Sequence, residues 1–167
     1  MDSDLFLKMS EELCCIPAFY LKGTGYASVY HDKAEKIVGK DLLDRLSAVY
    51  AGLPNCCHRA RKDAILAKLL NDPEFGPVVR NVMKIFFLGV WNKLPPQWHQ
   101  SYKAFDDDET CIPDPNAYVQ SLLGPAVGAH PAGAKPTGHQ SWADPPTIYL
   151  PFAEETSPLE CAHPERH

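Results

Sequence analysis

Apolar residues in the first part of this 167-residue chain recur at three- and four-residue steps, the period of a helix with one buried face. Phe6 (or Leu5), Met9 and Leu13 form the first such stripe, and Pro17 stops it. Tyr26, Tyr30, Ala34 and Ile37 form a second, opened by the Gly23-Thr24-Gly25 turn and closed by Gly39. Asp41 is placed to cap a third segment, in which Leu42, Leu43, Leu46, Val49, Tyr50 and Leu53 share a side. Asn55 is placed to cap a fourth, with Ala60, Ala64, Leu66, Ala67 and Leu70 inward and an end at Asn71-Asp72.

The next segment lacks a polar face. Starting from Asp72-Pro73 or Gly76-Pro77, the residues from Val78 to Trp91 are apolar nearly all round. A helix apolar on every side needs cover on every side, from companion helices or from a partner protein. Gly89 interrupts it at a cost of about 1 kcal/mol, which points to close approach of another backbone. Past Leu94-Pro95-Pro96 the periodicity fades. A short helix is expected near 115–123: Asp114 as cap, Pro115 first, Tyr118, Val119, Leu122 and Leu123 as core, Gly124 as stop. The reading is all-α: a small irregular bundle of five or six helices over 1–94, then an extended, mostly loop arm over 95–167, forming one structural unit.

Composition sharpens that division. Of 16 prolines, 12 follow Leu94, and the charge balance is +2 over residues 1–94 and −7 over 95–167. The arm still carries Trp98, Tyr102, Phe105, Trp142, Ile148, Tyr149 and Phe152. Burying an aromatic ring gains on the order of 2 kcal/mol, so spaced rings suit an arm that packs on a surface. Within it, the Gly-, Ala- and Pro-rich stretch 124–146 is a stiff, thin ribbon that loses little entropy on docking.

Several functions find no support. A net charge of −5 without a basic stripe argues against nucleic-acid binding. The longest apolar run, Ile85–Trp91, falls far short of the roughly 20 residues of a membrane span. The histidines show no ligand spacing, the Asp106–Glu109 run reads as a solvated turn, and no nucleophile motif occurs. Cys14-Cys15 and Cys56-Cys57 are adjacent pairs, and with Cys111 and Cys161 isolated the expectation is free thiols in a reducing compartment. No catalytic, cofactor-binding or metal-binding residue is assigned.

Three stretches carry a resemblance: Phe6–Leu13; Phe75–Val82 running on through Phe87-Leu88-Gly89; and Ala117–Val119 through Gly128–Pro131 to Ser141–Pro146. Together they resemble the small subunit of FAD-dependent sorbitol, glucose and fructose dehydrogenases, whose large subunit is a glucose–methanol–choline type flavoenzyme. The resemblance implies a non-catalytic chain that stabilises and helps mature an FAD-containing catalytic subunit, with no cofactor of its own. The implied partner interface combines the end of the apolar helix with the ribbon: Phe86, Phe87, Trp91, Trp98, Tyr118, His130, Pro131, Lys135, His139, Trp142, Pro145 and Pro146. No twin-arginine leader precedes Met1-Asp2-Ser3-Asp4, so a cytoplasmic complex is expected; a periplasmic one would need a leader removed from this chain or borne by the partner. The competing expectation is a self-sufficient small enzyme with a loop-built histidine or metal site involving His99, His130 and His139.

Overall fold

In the computed structural model the described residues are 1–104 and 108–130, and they are helical without a β-strand. Five helices precede the central one: α1 Ser3–Cys14, α2 Ala18–Gly23, α3 Ala27–Val38, α4 Lys40–Ala51 and α5 His58–Ile65, the last continuing as a π turn over Leu66–Leu70. The central α6 spans Phe75–Leu88, and α7 Pro96–Tyr102 and α8 Leu123–Ala126 follow. The helical bundle read from the apolar stripes is therefore present. No described helix is long and apolar enough to cross a membrane.

The stripes bury as their spacing requires. Phe6, Met9 and Leu13 of α1, Tyr30, Ala34 and Ile37 of α3, and Leu42, Leu43, Leu46 and Tyr50 of α4 all enter one core. Into it α6 sends Val78, Val79, Val82, Ile85 and Phe86, packing on α1, α3 and the π turn. The Phe86 ring lies edge-on to Tyr30, centroids 5.0 Å apart, and 6.4 Å from Phe6. Asp72 starts α6: its carboxylate accepts from the amides of Glu74 and Phe75, both at 2.8 Å. The core continues past residue 94 through Leu94, Trp98, Ala117 and Leu122.

Four local expectations are corrected. The Cys57 side chain, with Sγ 3.4 Å from the Ala60 amide, takes the cap of α5; Asn55 accepts instead from the Arg61 guanidinium. At α4 the cap position falls to Gly39 without a side-chain bond, and Asp41 sits in the first turn, where its charge favours the helix dipole. The π turn, closed by Asn71 N–H to Leu66 O at 2.9 Å, turns the face, so Leu69 is buried while Leu66 and Ala67 are exposed. One extra residue in a turn rotates later positions by about 100°, which periodicity alone cannot anticipate. Finally, residues 115–120 form turns instead of the expected helix.

The thiols also differ from expectation at one place. Cys14, Cys15, Cys56 and Cys111 are free, but Cys57 is disulfide-bonded. Burial pushes the Cys14 thiol up to about 12, with Cys15 beside it adding a smaller push in the same direction.

Candidate functional site

The last turn of α6 is where the cover of neighbouring helices runs out. Gly89 ends the helix at φ +69°, its N–H still donating to Ile85 O at 2.9 Å. A Cβ at this position would stand 2.6 Å from the Ala117 carbonyl carbon and oxygen and 2.7 Å from the Tyr118 amide nitrogen. The close backbone approach read from that glycine is the approach of the 117–118 turn. Two residues later Trp91 forms an isolated antiparallel bridge with Cys111, through N–H···O bonds of 2.9 and 3.0 Å. Leu122 N–H then donates to Phe86 O at 3.1 Å, spending on α6 the bond that a helix over 115–123 would have kept within itself.

A buried carboxylate holds this crossing together. Asp108 Oδ1 accepts from the Trp91 indole N–H at 2.8 Å, and Oδ2 accepts from the Leu94 amide at 2.7 Å. His99 Nε2 lies 2.7 Å from the same Oδ2. Three partners offset the desolvation of a carboxylate that is only 7% exposed. Asp108 is thus not part of a solvated turn, although Glu109 is exposed and pairs with Lys93 at 2.6 Å. Asn81 on α6 adds a second fastening, donating to Asn92 O at 2.6 Å and accepting from Asn92 N–H at 3.3 Å. On the far side, Tyr26 OH donates to Asp114 Oδ1 at 2.9 Å, while Asp114 also accepts from Asn116 N–H at 2.8 Å. Desolvation, then the Asp114 carboxylate, raise the Tyr26 phenol above its ordinary value.

Between the end of α6 and the 117–130 segment lies an open groove of about 380 Å³. Phe87, Leu88 and Val90 form one wall; Tyr118, Leu123 and Gly124 form the other, with Ser121 and His130 as its polar positions. Its rim is in water: Leu88 is 36%, Leu123 45% and Tyr118 58% exposed. Val127, the residue that follows α8, is also exposed. Apolar side chains gathered around a concave surface gain free energy by admitting another apolar group, so recognition is the chemistry this groove offers.

The expected interface residues divide three ways. Phe87, Tyr118 and His130 are brought together as lining of the groove. Phe86, Trp91 and Trp98 are corrected: each is at most 3% exposed, in the core, and Trp98 donates its indole N–H to Glu74 O at 2.7 Å. A partner cannot reach side chains spent on the chain's own packing. Pro131, Lys135, His139, Trp142, Pro145 and Pro146 lie outside the described residues. Sequence reasoning missed Leu88, Val90, Ser121 and Leu123 as groove residues, and Asp108 as the fastening beneath them. The only signal was Gly89, since a glycine tight against a turn implies a crossing there.

The described residues contain no cluster of three or more His, Cys, Asp or Glu suited to a metal ion. Comparison of the chain with models of known protein families, with curated proteins and with solved structures finds no match.

Proposed function

We propose that the chain is the non-catalytic small subunit of an FAD-dependent, alcohol- or sugar-oxidising oxidoreductase, stabilising the flavin-binding subunit and helping it mature. The observation that carries this reading is the solvent-facing apolar groove, built from two of the three stretches on which the family resemblance rests. FAD and the oxidative chemistry belong to the partner; this chain supplies contact surface.

The test is recovery of the tagged chain from its native source. A flavoprotein should co-elute in stoichiometric amount, with flavin absorbance and sugar- or alcohol-oxidising activity in the same fraction. Leu88→Asp should abolish co-elution while leaving the far-ultraviolet circular dichroism unchanged. A monodisperse chain that unfolds cooperatively and brings no flavoprotein refutes the proposal.

A self-sufficient enzyme has one observation in its favour, the His99–Asp108 pair. Asp108 is also bound by Trp91 and Leu94, which gives the pair a structural purpose. Activity in the isolated chain that His99→Ala removes without lowering stability would establish the enzyme instead.

A further inference from the structure

We infer that the segment a partner lays in the groove at the end of α6 is an acidic one: its apolar side chains fill the groove while a carboxylate about one helical turn away meets Lys84. The inference rests on the reading of the chain as a docking subunit and adds the chemistry of what docks. Apolar exposure is gathered at one place. Seven large apolar side chains are exposed among the described residues, and five of them, Leu88, Ile112, Tyr118, Leu123 and Val127, belong to 88–127. Leu88, Tyr118 and Leu123 line the groove itself, and Ile112 follows Cys111, the bridge partner of Trp91. Single apolar residues scattered on a surface need no cover, whereas a gathered set marks a contact surface.

Charge decides what covers it. From Phe75 to Leu94 the chain carries Arg80, Lys84 and Lys93 and no Asp or Glu, although its net charge is −5. Lys93 is already paired with Glu109. Arg80, Lys84 and Leu88 are all exposed and follow one another at four-residue steps, so they share the open side of α6. The helical rise sets Lys84 about 6 Å and Arg80 about 12 Å before Leu88 along the axis. Arg80 donates one N–H to Leu70 O at 2.6 Å, and Lys84 has no ion-pair partner among the described residues. None of the groove-lining residues is a carboxylate. An exposed ammonium is not a site by itself, but beside an apolar groove it fixes the charge an occupant can carry. Docking brings the occupant's flank over α6, where partial exclusion of water strengthens attraction to a carboxylate and repulsion of a lysine or arginine. A second copy of the chain fits poorly. Pairing about a two-fold axis sets the same patch against itself, so Arg80 and Lys84 of both copies would converge with no carboxylate from 75–94 between them.

Titration of the full chain with two short synthetic peptides, followed through its backbone amide resonances, tests the inference. Both peptides carry the same leucine and phenylalanine residues; glutamates flank them in one and lysines in the other. The glutamate peptide should shift the amides of Leu88, Gly89 and Tyr118 and bind roughly three- to tenfold tighter than the lysine peptide at low salt. The difference should shrink toward equality at about 0.5 M salt, where charges are screened within a few ångströms. Lys84→Glu should abolish or reverse the preference. Leu88→Ser should weaken both peptides alike, and Lys36→Glu, an exposed position on α3 outside the groove, should change neither. Circular dichroism should be unchanged in all three variants. Equal affinity of the wild type for the two peptides overturns the inference, as does a preference that Lys84→Glu leaves intact. No shift with either peptide, shifts confined to other surfaces, or groove shifts that follow the chain's own concentration without peptide (a second copy) overturn it as well. The peptides need no flavoprotein. Co-elution from the native source can fail while the preference holds, or succeed while it is absent, so the two proposals fail separately.

Discussion

Replacing Gly89 by alanine isolates the contact on which the groove depends. The substitution imposes two costs. A non-glycine residue at φ +69° loses about 1–2 kcal/mol from the clash of Cβ with the following carbonyl. The new methyl would also stand 2.6 Å from the Ala117 carbonyl carbon and oxygen, well inside ordinary contact, and these are backbone atoms that cannot swing aside. Overpacking of this kind costs a further ~1–3 kcal/mol, for a total of about 2–5 kcal/mol. Gly128 provides the control: its φ is +70°, but nothing lies within 4 Å of its added Cβ. Gly128→Ala thus carries the conformational cost alone, and the gain from a less flexible unfolded chain is shared by both variants. In a chain of this size each kcal/mol moves the melting temperature by about 2–4 °C. Thermal unfolding followed by circular dichroism should place Gly89→Ala roughly 4–20 °C below the wild type, and Gly128→Ala several degrees above Gly89→Ala. Equal losses in the two variants would refute the claim that the 117–118 turn demands a glycine.

Asp108→Ala removes the acceptor shared by Trp91, Leu94 and His99; two buried donors are left unpaired, and urea denaturation should show a loss of about 3 kcal/mol with a changed near-ultraviolet signal from Trp91. A loss below about 1 kcal/mol would mean that the carboxylate is not the fastening described above. Alkaline pH acts on several other groups, Tyr30 and Cys14 among them. Burial raises the Tyr30 phenol from its ordinary 10.0 to about 12 and the Cys14 thiol from 9.0 to about 12, so the folded state keeps protons that the unfolded chain releases. Stability from these groups is full below about pH 9 and is lost as pH rises toward 12. Urea midpoints at about pH 8 and about pH 11 should differ, and Tyr30→Phe should shrink the difference; a midpoint independent of pH over that range contradicts it.

The hydrophobic pattern alone settled which residues of α1, α3 and α4 turn inward, because each stripe is long, regular and bounded by Gly or Pro. It also marked α6 as a core helix, since most of its residues are apolar and bury, although Arg80, Lys84 and Leu88 leave it one exposed side. Local rules failed where a turn took in one extra residue or a distant group competed for the same atoms. The π turn moved Leu66 to the surface and Leu69 inward, and Leu122 gave its amide to Phe86 O instead of extending a helix from Asp114. Asp108 looked solvated because a run of acidic residues ordinarily is; only the fold sets an indole, an amide and an imidazole around it. The interface residues show the same division. An exposed docking aromatic and a core aromatic are one letter in a sequence, so Phe86, Trp91 and Trp98 could not be told from Phe87 and Tyr118 before the crossing of the 117–118 turn over Gly89 was known. Composition and periodicity determined what must be buried. Tertiary structure decided which apolar surface was left over, because that remainder depends on contacts between residues far apart in the chain.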